Sequence, residues 1–288
     1  ASNNTAVGLR ALSTNSTGSN NVAVGKSAAL ANTTASNNVA IGVNSMLTAT
    51  TAENNTAVGM DSLNNHTTGD GNVAVGYKAL EASTTAGNNV AVGQQALLLT
   101  TTGQNNVAVG ALALDANTTA GDNTAIGYAA LGGNTTGHSN VAVGHSALLS
   151  NTTGLRNTAI GKDAYNGADT EGDNIAIGYQ AMVTNNAGGN FNVVVGNYAG
   201  DAITSADNST CLGHISGGAI TTGISNTCLG AGAGLYITSG ANNLMIGLDA
   251  GHSNSPGGSI TTASNTITLG NNQIGTCNIQ TDWTVASD

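Results

Sequence analysis

Apolar residues recur along this chain with a period much longer than that of a helix turn or a strand alternation. Asn3-Asn4-Thr5-Ala6-Val7-Gly8 returns as Asn20-Asn21-Val22-Ala23-Val24-Gly25 and again as Asn37-Asn38-Val39-Ala40-Ile41-Gly42. The closing glycines (Gly8, Gly25, Gly42, Gly59, Gly76, Gly93, Gly110, Gly127, Gly144, Gly161 and Gly178) fall seventeen residues apart. Gly196, Gly213, Gly230, Gly247 and Gly270 continue the series, with one spacing of eighteen and a last one of twenty-three. The sixteen copies follow the consensus N-N-V-A-V-G-x-x-A-L-x-x-N-T-T-G-x. A fixed period of this size marks a stack of supersecondary units, none of which can bury its apolar face alone.

Within each unit the position before the glycine is branched and apolar, from Val7 and Val24 to Leu269, and two residues earlier stands Val, Thr, Ile or Leu. In a strand these two share one face. The residue between them is Ala in the first eleven copies, Ala6 to Ala176, which implies close approach of a second packed layer on the other face. The glycine suits a tight corner with positive φ or a crowding backbone. A second small column, Ala or Ser (Ala11, Ala28, Ser45 to Ala250), follows three residues later and usually precedes Leu. N-T-T-G then supplies turn chemistry. The pattern therefore predicts two short strands and two turns per unit, stacked as a parallel all-β roll or solenoid. Sixteen coils at roughly 4.8 Å each would make a rod about 75 Å long.

The asparagine before the strand (Asn4, Asn21, Asn38, Asn55, Asn72, Asn89 and onward) is kept in fourteen of the sixteen copies. Stacked amides of this kind can bond to the copies above and below, as in cross-β ladders. The regular repeat covers 1–189. Over 190–270 the residue after the small column becomes glycine (Gly200, Gly217, Gly234, Gly251) and the Ala column becomes Val194, Cys211, Cys228, Met245 and Thr268. This predicts a variant cross-section continuing the same rod, with an insertion near Pro256. Residues 271–288 lose the period and read as an exit segment.

Composition narrows the function. The chain has 41 Gly, one Pro, 7% charged residues and a net charge of −10. Arg10, Lys26, Lys78, Arg156 and Lys162 are too few and too scattered to displace counterions from nucleic acid. No apolar run is long enough to span a bilayer as a helix. Ala1 opens without a signal-like segment, so the chain reads as a piece of something longer.

The N-N-V-A-I-G hexapeptide with Ala or Ser three residues after its glycine resembles the head repeats of trimeric autotransporter adhesins, the YadA-like heads. Similar runs occur in bacteriophage tail fibres. The resemblance covers about residues 3–270 and departs in length, the family's common coil being near fourteen residues. It implies a side-by-side homotrimer serving as a structural fibre, with a host receptor or glycan as further partner; with the composition above, no nucleic acid, no membrane insertion and no cofactor is expected. The expected place is a virion surface, or alternatively a bacterial cell surface. Trp283 to Asp288 is similar to the junction before an endosialidase-type intramolecular chaperone of phage fibres. That likeness implies Ser287 as a self-cleavage nucleophile, with its lysine partner beyond Asp288.

Other residues invite chemistry. Tyr77, Tyr128 and Tyr179 follow the repeat glycine every third coil and either grip a partner or cover the edge of the roll or the seam between chains. Cys211 and Cys228 occupy one column a coil apart, as packed thiols or as a disulfide within the tolerated Cα range; Cys277 lies outside the repeat. Asp163, Asp169, Glu171 and Asp173 are the densest acidic group, but match no calcium loop, and a solvated turn is expected. The histidines (His66, His138, His145, His214, His252) form no metal spacing and read as exposed turn residues. No nucleophile–base or paired-carboxylate arrangement is legible, so no enzyme and no metal site is expected in the repeats. An ice-binding solenoid and a glycan-cleaving tailspike remain as alternative functions.

Overall fold

The computed structural model describes residues 2–184, 188–255 and 257–276. Among them, sixteen three-residue strands, from β1 (Thr5–Val7) to β16 (Ile267–Leu269), form one parallel sheet in chain order. Each strand pairs with the next in register, Ala74 against Ala91 and Ala91 against Ala108 for example. The register stays in step through the eighteen-residue spacing, where Ile175 pairs with Val193, and through the twenty-three-residue spacing, where Leu244 pairs with Ile267. The fold is a β-solenoid.

Each coil carries one strand, not the two expected. The side opposite the strand is a run of turns, yet its backbone is laddered to the neighbouring coils all the same. Leu80 N–H donates to Ala96 O (3.0 Å), Ala82 N–H to Leu98 O (3.0 Å) and Thr84 N–H to Thr101 O (3.0 Å). A second strand fails because this stretch needs φ values no strand allows: Lys78 and Leu80 sit at +57° and +52°. The equivalent residues repeat those values in successive coils, for example Gln95 (+58°) and Leu97 (+53°).

The strand faces divide as alternation requires. From β2 (Val22–Val24) onward the middle residue is buried, while its two neighbours are half-buried or exposed. The Ala column faces inward, against the Leu that follows the second small column (Leu63, Leu80, Leu97, Leu114). The core is thus a thin file of small and medium side chains.

The variant cross-section keeps core volume by a three-way exchange. Where Leu becomes Gly200, Gly217 or Gly234, the inward strand residue grows to Val194, Cys211 or Cys228, and the Asn of N-T-T-G becomes Ile203, Ile220 or Ile237. The new side chains occupy the vacated space. A Cβ at Gly217 would meet Cys211 Sγ at 2.5 Å and Ile220 Cδ1 at 2.9 Å. Within the regular coils the same trade appears on a smaller scale, with Ala49 beside Met46 and Ala168 beside Tyr165.

Candidate interaction surface

The surface feature that runs the length of the solenoid is the outer strand face. Its two columns contain only Val, Ile, Leu and Thr, with no charge in any of the sixteen strands. Stacked neighbours cover the flanks of each side chain and leave its tip open. Ile41, Ile126, Ile160 and Leu212 remain 38–41% exposed. Over the last three coils a groove of about 350 Å³ is lined by Thr227, Leu244 and Ile267 of this face together with Ser225, Asn242, Asn243 and Asn265.

A column of asparagines and a column of threonines tie each coil to the next beside this face. In the column before the strand, the Oδ1 of one asparagine accepts the backbone N–H of the next, as from Asn38 to Asn21 (3.0 Å) and from Asn89 to Asn72 (3.0 Å). The Nδ2 donates to a carbonyl fourteen residues on, Asn21 to Ala35 O (2.8 Å) and Asn38 to Ala52 O (2.7 Å). Direct amide-to-amide bonds join only some steps, among them Asn72 to Asn55 (3.1 Å) and Asn89 to Asn72 (3.2 Å). The expected ladder is therefore mainly a side-chain-to-backbone clamp. The first Thr of N-T-T is explained similarly: Thr67, Thr84 and Thr101 hydroxyls donate to the carbonyl one coil on, at 2.8–3.1 Å.

Beside the strand face lies an aromatic file. Tyr77, 40% exposed, has Lys78 Nζ 5.6 Å from its ring centre. Tyr128 stacks on His145 with centroids 5.1 Å apart, and Tyr179 meets Tyr198 edge-on at 5.2 Å. Tyr198 in turn lies 6.3 Å from His214. Tyr128, Tyr179, Tyr198 and the two histidines thus meet other rings along the stack, whereas Tyr77 meets the Lys78 ammonium. His145 and His214 directly follow the repeat glycine, as the three tyrosines do, so their place in the file was readable from the repeat; Tyr198, two residues after Gly196, does not share that position.

The four acids do separate jobs. Asp173 takes Arg156 in a two-bond pair (2.6 and 2.7 Å), and that guanidinium lowers its pKa. Glu171 is buried and accepts the amides of Asp169 (2.9 Å), Thr170 (3.1 Å) and Gly188 (2.9 Å), fastening the coil with the extra residue. The expectation of a solvated turn is thus corrected for Glu171. Asp169 receives the Thr152 hydroxyl, and Asp163 stands 3.8 Å from Lys162. Among the described residues no group of three or more His, Cys, Asp or Glu is placed to hold a metal ion.

Cys211 and Cys228 are register partners, both buried and both free thiols. Hydrogen bonding to Cys228, then burial, pushes the Cys211 thiol upward. One histidine departs from its expected place: His66 is wholly buried, in the asparagine position of N-T-T-G, whereas His138, His145 and His214 are exposed and His252 half-exposed. Ser287 and Cys277 lie outside the described residues. No protein-family model matches this chain, and comparison with curated proteins finds no match.

Proposed function

We propose that this chain is a structural segment of a trimeric attachment fibre, three copies lying side by side along their outer strand faces and spacing or presenting a host-binding region. The observation that carries this reading is the uncharged face of Val, Ile, Leu and Thr continuous over sixteen coils. Soluble monomers rarely expose contiguous apolar surface of that extent. Covering the tips of two side chains per coil is worth on the order of 1 kcal/mol at about 25 cal/mol per Å². That term is multiplied along the rod, while the association cost of about 4–15 kcal/mol is incurred once per chain. The sum favours association over a long face where a short one would fail.

The number three comes from the likeness to adhesin heads and phage tail fibres, as does the expectation of a virion surface. Light scattering on the purified chain tests it: the expected mass is three times 28.0 kDa. A clean monomer at micromolar concentration would overturn the reading.

A further inference from the structure

The asparagine position of N-T-T-G is filled by neutral groups, or by Ala, in the other described coils, among them Asn32, Ala49, Ser83, Thr100 and Asn117. Coil four, whose strand is β4 (Thr56–Val58), places His66 there instead. Its ring is completely buried, with Nδ1 3.0 Å from Ser83 Oγ in the coil of β5 (Val73–Val75) and Nε2 2.6 Å from Gly69 O in its own turn. A carbonyl only accepts, so Nε2 carries the proton and Nδ1 accepts from the Ser83 hydroxyl. This is a neutral imidazole bridging two coils. We infer that His66 is a proton-operated weak step in the stack: a second ring proton in this dry position loosens the contact between the coils of β4 and β5 and leaves the rest of the rod unaffected.

Hydrogen bonding alone would not forbid the charge, since the Ser83 hydroxyl can turn to accept from Nδ1. Burial does. It is the largest influence and lowers the His66 pKa from 6.5, ahead of the Gly69 carbonyl and the Asp70 carboxylate, which both raise it. Asp70 is the acid whose charge reaches the ring, and its Oδ1 already accepts the Glu53 amide at 2.7 Å. Around the ring, Ala49 and Ala52 of the preceding coil and Ser83 and Ala86 of the following one bring no charge.

The sign follows from linkage. The opened coil binds the proton near the ordinary pKa and the closed coil only at lower pH. Closure is therefore at full strength above about pH 6.5 and weakens as pH falls below it. The opening constant rises by up to tenfold per pH unit in that window, since one unit of pKa difference is a factor of ten in the equilibrium.

Native-state hydrogen exchange on the assembled protein from pH 7.5 to 5, corrected for intrinsic rates, reads this directly. The amides of Leu63 and Thr67, which donate to Ala79 and Thr84 of the next coil, should show the rise. Those of Leu114 and Leu131 should not. His66→Asn restores a residue the column already uses, so it should fold and flatten the pH dependence; His145→Asn, at an exposed ring, should leave it intact. A native segment with no pH dependence, or one with the same slope in His66→Asn, would overturn the inference.

Discussion

At the residue scale, the repeat glycine is required twice over. The eleven glycines from Gly8 to Gly178 hold φ between 128° and 142°, a region L side chains avoid. Each also faces the backbone one coil on: a Cβ at Gly93 would lie 2.4 Å from Gly110 O and 2.5 Å from Gly110 C. Gly93→Val should cost at least about 2 kcal/mol in thermal melts, the combined price of strain and clash, whereas Gln94→Val, at an exposed site one residue on, should be nearly silent. Equal effects would mean that the coil register is misplaced. The glycine was readable from the repeat because only its smallness is compatible with every copy. The left-handed leucines were not. Leu63, Leu80 and Leu97 sit at +48° to +53°, where a side chain costs about 1–2 kcal/mol, and no local motif announces it. The stack imposes that conformation, aiming the side chain into the core while the N–H reaches the next coil.

At the scale of the single coil, core volume is conserved although no one position conserves it. The regular coil fills its interior with Leu beside Ala and Asn; the variant coil uses Gly beside Cys and Ile. Ile220→Ala should leave a cavity and cost about 2–4 kcal/mol. Gly217→Leu alone should also destabilise, because the new side chain meets Cys211 and Ile220. The triple change Cys211→Ala, Gly217→Leu and Ile220→Asn converts this coil to the regular type and should restore most of the loss. Denaturant melts of the singles and the triple decide it, additive losses counting against the exchange. Two of the three exchanged columns show in the sequence as a shift near residue 190. The third, Asn to Ile, carries no meaning until the structure places its side chain against the glycine. The expected second strand failed for a related reason: apolar spacing shows which residues point inward but not whether the backbone between them is extended.

At the scale of the whole molecule, the apolar strand face should govern assembly. Ile126→Asp puts a charge on that face at a position 41% exposed in one chain. It should shift the protein toward monomer in sedimentation or light scattering while leaving its far-ultraviolet circular dichroism unchanged; a variant still fully associated would place the contact elsewhere. The junction reading has its own test. Full-length protein should give two bands on a denaturing gel if Ser287 attacks the backbone with help from a lysine five residues on, and Ser287→Ala should give one. By itself, the sequence determined the coil length, the small Ala column, the corner glycines and the one-dimensional stack, because these depend on a period that the copies repeat. Tertiary structure alone decided that each coil has one strand, that asparagine clamps backbone more than amide, and that the branched residues face out. It also decided that His66 is buried, since burial is set by neighbours seventeen residues away on either side and not by the residues beside it in the chain.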